Sequence, residues 1–379
     1  MSKELETYVW NLGRCTGCGA CISCCNKGVL YFPENEQHPT HRKITKRVGR
    51  TVHELDPCFG CESFCLEVCP VLREWTDGKM MSVVSARSSL TSERSRHRDL
   101  LSDILNHLLV SALESGFIDG AIITDVDQWT WRPFARVVST AEEIYDCAGH
   151  QFIWSPTLGS LNEAIHASGL RKIAIVGAPC VMNAVRCIQR STMKGLEIYG
   201  KSIRTLIGRF CAGVCTHDLV SEVIEKEMGI SPRNIAMMDR STAEKLLTVT
   251  LRDGTVRDIS LTATQKYLRM GCARCTDYLA ESADLSIGYT GSRYGYCTLI
   301  TRNVAGESLL TRAIQTGHLE ITKSVDTNQL YMAKRNKQSR KRSQQFDEEM
   351  LLMLEGLTDP AKRVEALRRY AELNRRQNK

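Results

Sequence analysis

The chain has no run of 18 consecutive apolar residues, so no segment reads as a membrane-spanning helix. Its first residues, MSKELETYVW, lack the basic-then-apolar pattern of a secretory leader. Together these absences predict a cytoplasmic protein whose thiols stay reduced, with a place at the periphery of a membrane complex left open. Charge of one sign is also scarce. A formal net charge of +7 over 379 residues does not mark the whole chain as a nucleic-acid binder. The two local basic runs, HRKITKRVGR (41–50) and AKRNKQSRKR (333–342), carry no interleaved aromatic residues on which bases would stack. With 42% hydrophobic, 6% aromatic and 25% charged residues, the composition excludes a mostly disordered chain, and the length allows two or three domains.

Cysteine is what the chain has in abundance. There are seventeen, an odd number, and with no secretory leader a disulfide scaffold gives way to metal ligation. Cys15, Cys18, Cys21 and Cys25 follow C-x2-C-x2-C-x3-C, while Cys58, Cys61, Cys65 and Cys69 follow C-x2-C-x3-C-x3-C with Pro70 directly behind. In two-cluster ferredoxins the fourth cysteine of each run crosses to the other cluster. That rule places Cys15, Cys18, Cys21 and Cys69 around one [4Fe-4S] cluster and Cys58, Cys61, Cys65 and Cys25 around a second. Gly17, Gly19, Ala20 and Gly60 are small enough for the backbone to curl round a cubane. Cys24 stands as an alternative ligand to Cys25, and Asn26 replaces the usual proline. Zinc is the competing occupant, because paired C-x2-C units also build tetrahedral sites, but four thiols in close succession favour iron–sulfur. Arg42, Lys43, Lys46, Arg47 and Arg50, between the two blocks, face either an acidic partner or water.

Beyond a polar, Ser/Arg-rich stretch (85–99), Leu101, Ile104, Leu105, Leu108, Leu109, Ala112 and Leu113 recur at helical spacing and Gly116 ends the helix. GAIIT (120–124) reads as a buried strand. RKIAIVGAPCVMNAVRCIQR (171–190) runs from strand into helix through Cys180, and IRTLIGRFC (203–211) is a strand ending at Cys211. Alternating units of this kind predict an α/β core in a mixed sheet with flanking helices, with ligands at the carboxyl ends of its strands. Cys180 falls near a helix N-terminus, where the dipole favours a thiolate. LLTVTLRDGTVRDISL (246–261) predicts an antiparallel hairpin turning at Asp253-Gly254. Cys272 and Cys275 form a further C-x2-C pair, and with Cys180 and Cys211 they make a third candidate quartet with Cys215 in reserve. Cys147, Cys187 and Cys297 read as packed residues. A charged tail ends in an amphipathic helix over 360–373, with Asp359 as N-cap and Pro360 at N1, either packed on its own domain or free to dock a partner.

The segments GAPCVMNAVRCIQ, IGRFC, CARCTDYLAESADLSIGYTGSRYGYCTLITR, ALESGFIDGAIIT and IWSPTLGSLNEA resemble the coenzyme F420 hydrogenase/dehydrogenase beta-subunit family over roughly residues 80–305. The resemblance implies FAD beside a cubane cluster and hydride transfer between that flavin and coenzyme F420. On matching positions Cys180, Cys211, Cys272 and Cys275 would hold the flavin-proximal cluster. Arg87, Ser88, Gly177, Ala178, Pro179, Asp277, Gly288, Gly291 and Ser292 would lie close to it or to the flavin. Where many relatives carry a Gly-Gly turn, this chain has RSRHRDLLS (94–102), which offers Arg96, His97 and Arg98 to the flavin phosphates instead.

The organisation expected is a ferredoxin-like two-cluster domain (1–80), a flavin and iron–sulfur domain (81–322) and a basic helical extension (323–379). The function expected is oxidation of reduced coenzyme F420, with electrons leaving singly through the clusters to a partner redox subunit or ferredoxin. A non-catalytic relay subunit with a degenerate flavin site is the alternative.

Overall fold

The structure, a computed structural model, describes residues 3–34, 36–48, 51–73, 78–88, 100–147, 152–241, 245–317 and 319–339. An eight-stranded mixed sheet organises the chain, as expected for an α/β core. Its strands are β1 (Ser82–Ser88), β2 (Gly120–Val126), β3 (Pro133–Val138), β4 (Ile173–Gly177), β5 (Ile203–Arg209), β6 (Leu285–Gly288), β7 (Cys297–Thr301) and β8 (Leu319–Thr322). They lie in the order β8-β1-β7-β6-β5-β4-β2-β3. The central β6, β5, β4 and β2 are parallel, and the strands on either side of them pair antiparallel. Every residue of β2 and β4 is buried, which is why both read as unbroken apolar runs rather than alternating ones.

Helices cover both faces. On one, α1 (Leu100–Glu114) and α3 (Val304–Gln315) bury Leu101, Ile104, Leu105, Leu108, Leu309 and Leu310 against Ile123, Val176 and Ile207. On the other, α2 (Pro179–Arg190) buries Val181, Met182, Val185 and Ile188 against Ile122, Ile175 and Leu206. Ala20, Cys24, Phe64 and Val68 from the cysteine-rich N-terminal segment join this second core. The segment is therefore fixed to the α2 face by apolar burial and does not hang from a linker. A separate antiparallel sheet is formed by Ile235–Ser241, Leu246–Leu251 and Val256–Ser260. Its second turn is the expected Asp253-Gly254 hairpin, where Asp253 Oδ1 accepts from Thr255 N at 2.8 Å.

Two regions differ from the sequence expectation. Residues 85–88, the start of the stretch read as polar, belong to the internal strand Ser82–Ser88. Its serines are tolerated because they pair with other hydroxyls: Ser85 Oγ donates to Ser292 Oγ at 2.6 Å, and Ser292 Oγ lies 2.7 Å from Thr298 Oγ1. The basic run at 333–342 is not simply solvated. Residues 327–339 are helical, Leu330 is fully buried, and Lys334 pairs with Glu281 at 2.6 Å with both side chains largely covered. Arg96, His97, Arg98, Asp359, Pro360 and the helix expected over 360–373 lie outside the described residues. Among the described residues no helix is long and apolar enough to cross a membrane.

Asp284 ties the sheet to both helical layers. Buried at the start of β6, it pairs with Arg186 of α2, accepts from Asn303 Nδ2 at 2.6 Å at the α3 N-terminus, and accepts from Leu206 N at 2.8 Å in β5. Removing one partner of a buried ion pair leaves an uncompensated charge. Asp284→Ala is therefore expected to cost about 3 kcal/mol, read as a lower urea midpoint at unchanged m-value.

Candidate metal centres

Two short helices arrange the first eight thiols. Ala20–Ser23 carries Cys21 and Phe64–Glu67 carries Cys65. The fourth cysteine of each run comes two residues after its helix, so the chain turns it into the neighbouring cavity. Cys15, Cys18, Cys21 and Cys69 line one pocket, with Leu5, Val9, Trp10 and Phe32 beside them. Cys25, Cys58, Cys61 and Cys65 line a second, with Val29, Leu30 and Phe64. The grouping is the one the crossing rule predicts. Cys24 lines neither; it caps the first helix and is buried in the apolar core.

Four tetrahedral bonds of about 2.3 Å to one zinc would hold the sulfurs roughly 3.8 Å apart. Among the described residues no three Cys, His, Asp or Glu groups converge that way on a single ion.

A third set gathers at the carboxyl ends of the parallel strands. Cys180 opens α2 just past β4, Cys211 follows β5, and Cys272 and Cys275 lie on and beyond the short helix Met270–Ala273. Cys180 feels the charge of Cys18 first and then of Cys275, Cys272 and Cys211, so it stands close to the first set as well as to the other three thiols. Cys215 lies apart, fully buried among Ile153, Leu219 and Ile235, with its thiol 3.7 Å from Thr264 O. Cys147, Cys187 and Cys297 are buried in the packing, and no cysteine forms a disulfide.

Burial is the first cause that raises the proton affinity of several of these thiols, and neighbouring thiols add to it. Cys15, Cys65 and Cys272 are each pushed up to about 11, and Cys21 and Cys180 well above the ordinary thiol value. The N-terminus of α2 was expected to favour a Cys180 thiolate; desolvation, with the charge of Cys18, Cys275, Cys272 and Cys211 added to it, outweighs that and raises the thiol's proton affinity. Only a strongly cationic occupant would deprotonate four such groups together.

The sequence reading missed a buried lysine here. Lys337 enters from the C-terminal helix and is 4% exposed. Its ammonium donates to Cys211 O at 2.6 Å and Asp277 O at 2.8 Å. Burial opposes its charge, but the Cys275, Cys211 and Cys272 thiols raise its proton affinity above the ordinary lysine value. Only its place in a Lys/Arg-rich run was visible in the sequence, and such runs normally face water.

The residues expected beside a flavin divide into two groups. Gly177, Ala178 and Pro179 form the tight passage from β4 into α2 that presents Cys180. Arg87 is exposed and pairs with Glu320, while Ser88 Oγ lies 2.9 Å from His107 Nε2. Both therefore already have partners within the chain, and so do the rest. Burial raises the Asp277 carboxyl, which accepts from Glu281 N. A Cβ on Gly288 would strike the Phe210 ring at 2.2 Å, one on Gly291 would meet Asp326 O at 3.0 Å, and Ser292 is held in the hydroxyl chain described above.

The first and third thiol sets sit on backbones in contact. A Cβ at Gly271 would lie 2.3 Å from Cys15 O, so only glycine lets the ferredoxin loop rest beside Cys272. Residues 154–159 grip the same loop: Trp154 Nε1 donates to Gly17 O at 2.9 Å and Leu158 N to Cys18 O at 2.9 Å, while Ser23 Oγ donates to Gly159 O at 2.8 Å. Gly19, at φ +88°, has no room for a side chain against Gly159 N and Pro156 O. At the far end of the series, Cys58 lies 3.4 Å from His41 Nε2, and Phe59 beside it is 84% exposed.

Three stretches of the chain match known families. Residues 14–72 match the 4Fe-4S dicluster domain, residues 91–162 the "Coenzyme F420 hydrogenase/dehydrogenase, beta subunit N-term", and residues 170–327 the corresponding "C terminus". The chain is 30% identical to an uncharacterized protein of Methanocaldococcus jannaschii across 86% of its own length and 93% of the relative's. It is 33% identical to the coenzyme F420 hydrogenase subunit beta of Methanosarcina barkeri across 66% of its own length and 84% of the relative's. Among solved structures it is similar to a chain of the F420-reducing [NiFe] hydrogenase complex from Methanosarcina barkeri, with a TM-score of 0.66 and 29% identity over 73% of this chain and 94% of that one.

The cavity lining makes an asymmetric prediction for the adjacent pair Cys24 and Cys25. Cys25→Ala is expected to remove about four irons per anaerobically reconstituted chain. Cys24→Ala, measured by the same iron assay, is expected to leave the content unchanged.

Proposed function

Because the chain belongs to the coenzyme F420 hydrogenase/dehydrogenase beta-subunit family, we propose that it oxidises reduced coenzyme F420 at a bound FAD and delivers the electrons singly to a partner redox subunit or ferredoxin. Cys180, Cys211, Cys272 and Cys275 hold the flavin-proximal cluster in this reading. Cys15, Cys18, Cys21 and Cys69 hold the middle one, and Cys25, Cys58, Cys61 and Cys65 the outer one. When bound, the flavin supplies the change from hydride to single-electron transfer, and the clusters supply the single-electron steps. The observation that carries the reading is the serial placement of the three thiol sets, with Cys15 O against Gly271 at one junction and the paired short helices at the other.

The protein's own residues set order and distance. Gly177–Pro179 turn Cys180 into the third set at the strand ends, where Arg87 and Ser88 stand beside the expected flavin. Lys337 neutralises thiolate charge at that set and excludes water from it. Leu5, Val9, Trp10 and Phe32 line the middle site with apolar groups. The exposed Phe59, between Cys58 and Cys61, offers a partner contact beside the outer site.

One observation favours a second reading, a relay subunit without flavin: Gly288, Gly291 and Ser292 are taken up by contacts within the chain. An anaerobic visible spectrum with iron and flavin quantitation, followed by addition of reduced coenzyme F420, separates the two. The proposal expects about twelve irons and one FAD per chain, bleached by the coenzyme. Iron without flavin, and no bleaching, selects the relay.

A further inference from the structure

Arg269 is 1% exposed, and among the described residues it has no carboxylate partner. Its guanidinium lies over the Trp154 ring, 3.9 Å from the centroid. Nη2 donates to Gln37 O and reaches Cys15 O at 3.5 Å, whereas Nε and Nη1 have no hydrogen-bond partner. An unpaired buried cation is costly enough that chains retain one only where something compensates it. The groups whose charge Arg269 feels belong to two different sets: Cys15 and Cys18 on one side, Cys272 and Cys180 on the other. The contact of Gly271 with Cys15 O brings those sets together two residues from Arg269, and a Cβ on Gly17 would come within 2.7 Å of Nη2. The guanidinium thus fills the junction between the middle and flavin-proximal sets.

The geometry points to Arg269 as the shared counter-cation of two neighbouring iron–sulfur clusters, its free N–H edge donating to their sulfurs and favouring an added electron on either. This inference rests on the functional reading above, since it needs clusters at both sets. A four-thiolate cubane is anionic and gains one more negative charge on reduction, so a fixed cation stabilises the reduced form. Hydrogen bonds to cluster sulfur act in the same direction. Because the charge is common to both clusters, it shifts their potentials in the same direction and does not by itself favour the electron on one over the other. Arginine suits the position: it keeps its charge when buried and divides its donors between two directions, with Trp154 supporting its flat face.

The test is an anaerobic EPR-monitored redox titration of the full chain carrying its clusters, comparing wild type with Arg269→Gln and Arg269→Lys. Arg269→Gln is expected to weaken reduction of two of the three clusters by about tenfold, a fall of about 59 mV for one electron, while the third moves by much less. Arg269→Lys, which keeps the charge but not the fork, is expected to restore most of the shift. Wild-type iron content with no potential moved, or all three clusters shifted equally, would overturn the proposal. Should Arg269→Gln lose iron, Trp154→Leu keeps the cation but removes its support. A change in the same two potentials is then expected, and none would overturn the assignment. If wild type itself carries no cluster at these sets, the functional reading fails, and with it the foundation of this inference.

Discussion

The contact between Cys15 O and the Cα of Gly271 is the constraint on which the rest of the arrangement depends. It fuses a cysteine-rich loop to the α/β body at the residue before Cys272, and any side chain at 271 would force the two apart. Around it the hydrogen bonds from Trp154 to Gly17 and from Leu158 to Cys18, together with the shared apolar core under α2, fix orientation as well as distance. Electron transfer between buried centres requires such fixity, and a flexible tether between two domains would not provide it.

The same compactness has an electrostatic consequence. Three sets of four thiols are buried beside one another, and burial with mutual repulsion keeps those with raised proton affinity protonated. Loading metal releases those protons and replaces repulsion by coordination. Lys337 and Arg269 supply positive charge where the anionic product of that loading would otherwise stand alone. The cations come from different elements, the helix over 327–339 and the segment before a C-x2-C pair, so the electrostatic frame of the third set draws on distant parts of the chain.

Much of this was legible in the sequence because thiol spacing and apolar runs are local signals. The crossing of Cys25 and Cys69 between cavities, the strand ends bearing Cys180 and Cys211, and the Asp253-Gly254 hairpin all follow from residues close in the chain. What was hidden depends on partners far away in it. Ser85 reads as loop until Ser292 and Thr298 are beside it, and Lys337 reads as solvated until Cys211 O and Asp277 O receive it. Arg269 gives no signal at all, since a lone arginine before a cysteine pair is ordinary. The hairpin Ile44–Val48 with Thr51–Leu55 was missed for the opposite reason: its described side chains are exposed, so no buried face imposes a pattern.

The central claim is a single conduit of three four-iron clusters in series, and the most direct test is anomalous diffraction at the iron absorption edge from anaerobically grown crystals of the intact chain. The account predicts three iron peaks, one at each of the thiol sets Cys25, Cys58, Cys61 and Cys65; Cys15, Cys18, Cys21 and Cys69; and Cys180, Cys211, Cys272 and Cys275. A chain whose cysteine-rich sites show zinc instead of iron, or whose third set is bare while the first two are filled, would contradict it.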